Sequence, residues 1–225
     1  MERLAKPELF ERLAQGHAAG VTVATPNRRL ARALADEFER AQRARGLVSW
    51  DTPDVLPLAA FAKRLYEDAL YSEGAPELPR LLAPEEEALL WEDIVRASAA
   101  GEGLLAAPET ARLAREAWAL VQAYGLGEKL ARTAKDEDAE AFAGWAARYA
   151  ARTAKDGSTD AARLPEVVRE RLDAPRLRRP KTLVAWAFER TTPQQRALLD
   201  ALAARGVAVL EGAPAPRASR ALRCA

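Results

Sequence analysis

The apolar positions of this chain follow two different periods. Val21-Thr-Val-Ala-Thr25 is a near-continuous apolar and β-branched run, the pattern of a buried strand. After Pro26 the pattern switches: Leu30, Leu34 and Phe38 recur at i, i+4 and i+8, which predicts an amphipathic helix to about Arg45, capped by Asn27 and closed by Gly46. Pro7 to Gln15 reads as a short helix before it, and Leu47 to Pro53 as an extended segment after it. A further helix is expected from Leu58 to Tyr71, with Phe61, Leu65 and Ala69 or Leu70 inward. Ser72–Pro84 holds three prolines and a glycine and reads as a linker.

From residue 84 to about 172 only the helical period remains, with candidate helices at 84–99, 108–124, 136–154 and 161–172. Trp91, Trp118 and Trp145 fall 27 residues apart in three of them, but their surroundings share too little for a repeat array. They are expected to anchor the core of one small bundle. Strand character returns at Lys181–Phe188 and Val207–Leu210. Between them Thr192, Pro193 and Gln195 spell a capping box, and Gly206 ends the helix that begins there. Strand, helix and strand with short connections imply a parallel pair. The expected architecture is therefore α/β, predominantly helical, with a discontinuous core of residues 1–83 and 173–225 and an all-helical insertion at 84–172. Three strands are few for a covered parallel sheet, so the chain reads as a fragment of a longer protein.

Composition narrows the function classes. Net charge is +1 with 34 basic and 33 acidic residues, so no global basic field points to nucleic acid. Arg outnumbers Lys 28 to 6, a bias that a GC-rich genome produces by itself. One Cys (Cys224) and one His (His17) exclude a disulfide framework or a Cys/His metal centre within the segment. No signal peptide or membrane span is legible, and the expected location is the cytoplasm, without a membrane partner.

Three blocks resemble the N-terminal region of AddB-type and RecB-like exonucleases of bacterial DNA repair. They are Val21–Leu34, at the place of a degenerate phosphate loop; Trp50-Asp-Thr-Pro-Asp-Val-Leu-Pro-Leu-Ala-Ala-Phe61; and Leu183–Leu199, with its Thr-Pro-Gln-Gln helix start at the Walker B position. The resemblance implies a parallel sheet like subdomain 1A of a superfamily 1 helicase, interrupted by a 1B-like helical insertion. It also implies a parent protein with a PD-(D/E)XK nuclease domain beyond this segment, DNA as its substrate and an AddA-like helicase–nuclease as its partner. For this segment it implies no catalysis and no cofactor, and a role in shaping a DNA channel and docking neighbouring domains.

The residues themselves agree on the missing chemistry. A phosphate loop needs glycines, a Lys and a Ser/Thr, whereas Thr25-Pro-Asn-Arg-Arg29 offers a helix start and arginines, and only Glu189 stands after the second strand. Asn27, Arg28, Arg29 and Arg32 either contact a DNA backbone or are solvated helix residues, with Asp36 and Glu39 as partners for Arg32 and for Arg40 or Arg43. Arg176, Arg178, Arg179 and Lys181, the densest basic run, either line a DNA path or satisfy a helix end. Trp50 either stacks on bases or packs, and Trp186 is expected in the core. Glu85-Glu86-Glu87 suits a helix start, and His17 receives no role. Two rival functions stand beside the repair reading: a divergent NTPase using Arg28 or Arg29, and a free-standing helical adaptor.

Overall fold

A strand two or three residues long has no period of its own and forms only where longer neighbours offer it a ladder. Two such strands complete the sheet of this protein. The computed structural model describes residues 2–71, 78–101, 106–133, 136–174 and 177–212. Within it the chain is a mixed α/β protein, mostly helical. The elements are β1 (Arg3–Leu4), α1 (Lys6–Leu13), β2 (Val21–Thr25), α2 (Arg28–Ala44), β3 (Val55–Pro57) and α3 (Leu58–Leu70). Next come β4 (Arg80–Leu81), α4 (Pro84–Arg96), α5 (Ala107–Tyr124), α6 (Gly127–Thr133), α7 (Glu137–Lys155), β5 (Ser158–Thr159) and α8 (Leu164–Arg169). The last elements are β6 (Thr182–Trp186), α9 (Pro193–Ala203) and β7 (Ala208–Gly212). The linker positions 72–77 and the exit segment 213–225 lie outside the described residues.

The residues group into two units. One comprises 2–61, 179–190 and 202–212; the other comprises 62–178 and 191–201. The sequence pattern places these divisions at 83/84 and 172/173. Most of α3 and the first nine residues of α9 belong with the helical residues rather than with the sheet.

The sheet unit carries five strands in the order β1-β7-β6-β2-β3, every neighbouring pair parallel. Central β2 and β6 are buried from their second residue onward, which explains their unbroken apolar runs. The edge strand β3 ends in Pro57, where no partner needs its missing N–H. One core cluster gathers Leu9 and Leu13 of α1, Val23, Leu34 and Phe38 of α2, Val184, Trp186 and Leu210. Phe10 and Phe38 meet edge to face at 5.6 Å. At β7 the backbone comes so close to the indole of Trp186 that Gly212 is required. A Cβ there would lie 2.3 Å from Cε3 and 2.7 Å from Cζ3.

The helical unit is built around the three tryptophans as expected. Trp91 of α4, Trp118 of α5 and Trp145 of α7 share one cluster with Tyr149 and are at most 8% exposed. Trp91 stacks on Tyr149 at 4.3 Å and tilts against Trp118 at 6.1 Å. A two-stranded parallel pair, β4 with β5, brings Arg80–Leu81 to Ser158–Thr159. This pair and α6 carry no sequence signal of their own. The capping box at α9 forms: Gln195 Oε1 accepts from Thr192 N at 3.0 Å, and Gln195 N donates to Thr192 Oγ1 at 3.3 Å.

Candidate nucleic-acid interface

In an open parallel sheet the strand ends, not the faces, are available to ligands, and the carboxyl edge is favoured where the connections diverge. This sheet has such a point between β2 and β6. From β2 the chain proceeds to β3 on one side, and from β6 to β7 on the other. The carboxyl ends of β2 and β6 lead into Pro26–Arg29 and Ala187–Arg190 respectively.

The turn after β2 consists of Pro26 and Asn27 alone. Its geometry is set by three bonds. Thr25 Oγ1 donates to the Asn27 carbonyl at 2.9 Å, the Asn27 side chain accepts from Leu30 N at 3.0 Å, and Ala31 N reaches the Asn27 carbonyl at 3.2 Å. The Thr25 hydroxyl is buried and spent on this turn. Two residues leave no loop whose N–H groups could encircle phosphates, so the segment differs from a phosphate loop in length as well as in side chains.

Arg28, Arg29 and Arg32 project from the first turns of the 17-residue helix α2 and are exposed. Among the described residues they make no ion pair. The expected pairing of Arg32 with Asp36 does not form. The expected pairing of Arg43 with Glu39 does form, at 2.9 Å, and Arg40 donates to the carbonyl of Asp36. Arg190 is exposed four residues past the end of β6, on the same carboxyl edge, and is likewise without an ion pair among the described residues. The sequence motifs do not single out Arg190, although its place after a strand parallel to β2 is the signal that finds it.

Other expected contacts lie elsewhere. Lys181 precedes β6, its N–H bonds to the Gly20 carbonyl ahead of β2, and its Nζ donates to Ala18 O at 3.2 Å. It therefore stands at the amino edge, about 16 Å from the α2 arginines across a five-residue strand. Lys181 and the α2 arginines thus stand at opposite edges of the sheet. Trp50 is half-buried, packed against the sheet core, with the Arg43 guanidinium 5.8 Å from its ring centroid. Trp186 is 3% exposed, in the core. In the helical unit Arg178, exposed at its side chain, is bound to buried Asp68 through Nε at 3.1 Å and a terminal nitrogen at 2.6 Å, which raises its pKa and gives it a counter-charge. Arg179 is exposed and belongs to the sheet unit, and Arg176 lies outside the described residues.

One feature of the edge is conformational. Ala187, immediately after β6, has φ of 61°, and its N–H is held by the Gly212 carbonyl at 2.8 Å. A non-glycine residue in the left-handed region carries strain that the surrounding bonds must hold. No helix among the described residues is long and apolar enough to cross a membrane, and none of their acidic, His or Cys side chains gather in a group that could hold a metal ion. No protein-family model matches the chain, and no curated protein matches it.

Proposed function

We propose that this chain is the non-catalytic, helicase-like N-terminal region of an AddB-like DNA-repair exonuclease of the bacterial cytoplasm. Its sheet unit meets a DNA backbone at the carboxyl edge through Asn27, Arg28, Arg29 and Arg32. The observation that carries the contact is the coincidence of three arginines, without an ion pair among the described residues, with the divergence point of a parallel sheet. Arg190 adds a fourth charge at that edge. The two-residue turn after β2 supports a role without nucleotide hydrolysis. In the parent protein the segment shapes the path of a strand and docks neighbouring domains or an AddA-like helicase–nuclease.

Fluorescence anisotropy of a tailed duplex against salt tests the contact. Each phosphate neutralised by an arginine adds about 0.9 to the slope of log affinity on log salt for duplex, and about 0.7 for single strand. Replacing Arg28, Arg29 and Arg32 together by Ala is expected to flatten the slope by about 2 to 3. A slope unchanged by the triple replacement, or binding that ignores salt, refutes the contact. Thermal stabilisation by ATP with magnesium would refute the non-catalytic reading in favour of a divergent NTPase.

A further inference from the structure

A helix on the surface of a small bundle spends one apolar strip on the core and turns its other faces to water. Helix α5 carries a second strip. Its Ala107, Ala111, Ala114 and Trp118 join the core cluster of Trp91 and Tyr149. Leu113, Ala117, Leu120 and Tyr124 recur at i, i+4, i+7 and i+11. Successive residues are about 100° apart, so these four share a strip about 60° wide, centred about 120° round the helix from the core residues. Leu113 is 52% exposed, Leu120 60% and Tyr124 52%. Helix α4 packs on the far side of the core strip, where Arg115 donates to the Pro84 carbonyl at 3.2 Å. The apolar arc of α5 thus spans about 180°, where a core-facing strip needs about 100°.

Charge is spread unevenly along the same helix. Its charged residues, Glu109, Arg112, Arg115 and Glu116, all lie in the first half, and Ala117–Tyr124 has none. Glu109 and Glu116 border the exposed strip, and both pair with Arg112. Size is uneven too, with large side chains at both ends of the strip and the small Ala117 beside Leu120. Reversed end for end, the strip is its own complement. In an antiparallel pair about a two-fold axis, Leu113 meets Tyr124 of a second copy and Ala117 receives its Leu120. The flank that holds Glu109, Arg112 and Glu116 then lies along Ala119 and Ala123 of that copy, so no carboxylate meets another. The positive start of each helix also lies beside the negative end of the other.

We propose that this face of α5 joins two copies of the chain as a symmetric, antiparallel helix pair. An isologous contact needs one patch that matches itself, and the distribution of size and charge along α5 meets that demand. Three half-exposed large side chains per copy fall short of the roughly 1,200 Å² that a stable interface buries. The pair is therefore weak, with an expected Kd on the order of 100 μM. The proposal rests on α5 alone and is independent of the DNA contact.

Sedimentation equilibrium of the full chain from about 10 μM to about 1 mM, wild type against Leu120→Glu, reads the pair. The wild type is expected to pass from monomer to dimer across that range. The variant should associate at least tenfold more weakly, with its Tm unchanged under dilute conditions where both proteins are monomers. A monomer at every concentration overturns the proposal and leaves the strip to a different occupant. A dimer that Leu120→Glu leaves intact overturns it as well. If the variant does not fold, the amide resonances of the wild type on dilution decide. Shifts that centre on Leu113, Ala117, Leu120 and Tyr124 uphold the pair; shifts centred elsewhere, or none, refute it.

Discussion

Gly212→Ala adds one methyl group to β7, and the geometry around it permits a worked expectation. The new Cβ would lie 2.3 Å from Cε3 and 2.7 Å from Cζ3 of Trp186, and 3.3 Å from Cγ1 of Val184. Carbon atoms rest at about 3.5 to 4.0 Å, so the indole must retreat by more than about 1 Å. It has little room, because Trp186 is 3% exposed and belongs to the cluster of Leu9, Leu13, Val23, Leu34 and Phe38. Overpacking in a closed core costs about 1 to 3 kcal/mol, and a rigid ring pressed by a backbone-anchored methyl belongs at the upper end. The expected loss is about 2 to 3 kcal/mol. Trp186→Leu alone should cost about 3 kcal/mol by opening a cavity. The double variant should be less damaged than the sum of the two, by more than about 1 kcal/mol, since the methyl then occupies vacated space. Urea unfolding followed by far-UV circular dichroism measures the three variants. Hydrogen exchange at the amides of β6 and β7 isolates the sheet unit, because two units need not unfold together. A Gly212→Ala loss below about 0.5 kcal/mol, or an additive cycle, would refute the reasoning.

Ala187→Gly should stabilise the sheet unit by about 1 kcal/mol, because glycine adopts the left-handed φ of 61° without the steric cost that alanine bears there. Equal or lower stability in the same urea assay would show that the strain at Ala187 is absorbed at no cost. Asp160→Asn leaves Arg163, only 21% exposed at its side chain, without its counter-charge. It should destabilise the helical unit by about 3 kcal/mol, readable as a lower urea midpoint. The companion variant Thr153→Val, which removes only the hydroxyl that accepts from Arg163 at 2.9 Å, should cost about 1 kcal/mol in the same assay.

The sequence is most legible where chemistry is local. Asn27 before an i, i+4 pattern, and Thr192 with Gln195, set helix starts that the structure reproduces, because a cap and its target lie within one turn. The three tryptophans are legible as core because nothing but burial suits such side chains at helical spacing. Strands β1, β3, β4 and β5 are not, since two or three residues have no period and are defined by distant partners such as Arg3 with Glu211. Arg178 illustrates the same limit for the site: its partner Asp68 is 110 residues away. The separation of Lys181 from Arg28 is a different case. Both strands and their parallel sense are readable from sequence. In a parallel pair, a residue just before one strand and a residue just after the other stand at opposite edges of the sheet.

That separation changes what kind of interface the sheet unit can offer. With Lys181 and the Asp68-bound Arg178 set aside, the described charges that follow β2 and β6 at the carboxyl edge include Arg28, Arg29, Arg32 and Arg190 against Glu189. The whole chain carries a net charge of only +1, so no global field adds to that of these side chains, and at physiological salt their influence fades within about 8 Å. A rigid loop of N–H donors would hold one phosphate in one orientation. Long arginine side chains around a two-residue turn hold phosphates only loosely and read no base edges. The contact suited to such an edge is sequence-independent and short-ranged. It would be useful to a protein that must let a strand slide past and ill-suited to one that must grip a nucleotide for hydrolysis. Affinity that varied strongly among tailed duplexes of different sequence at one salt concentration would break this link between the turn and its proposed role.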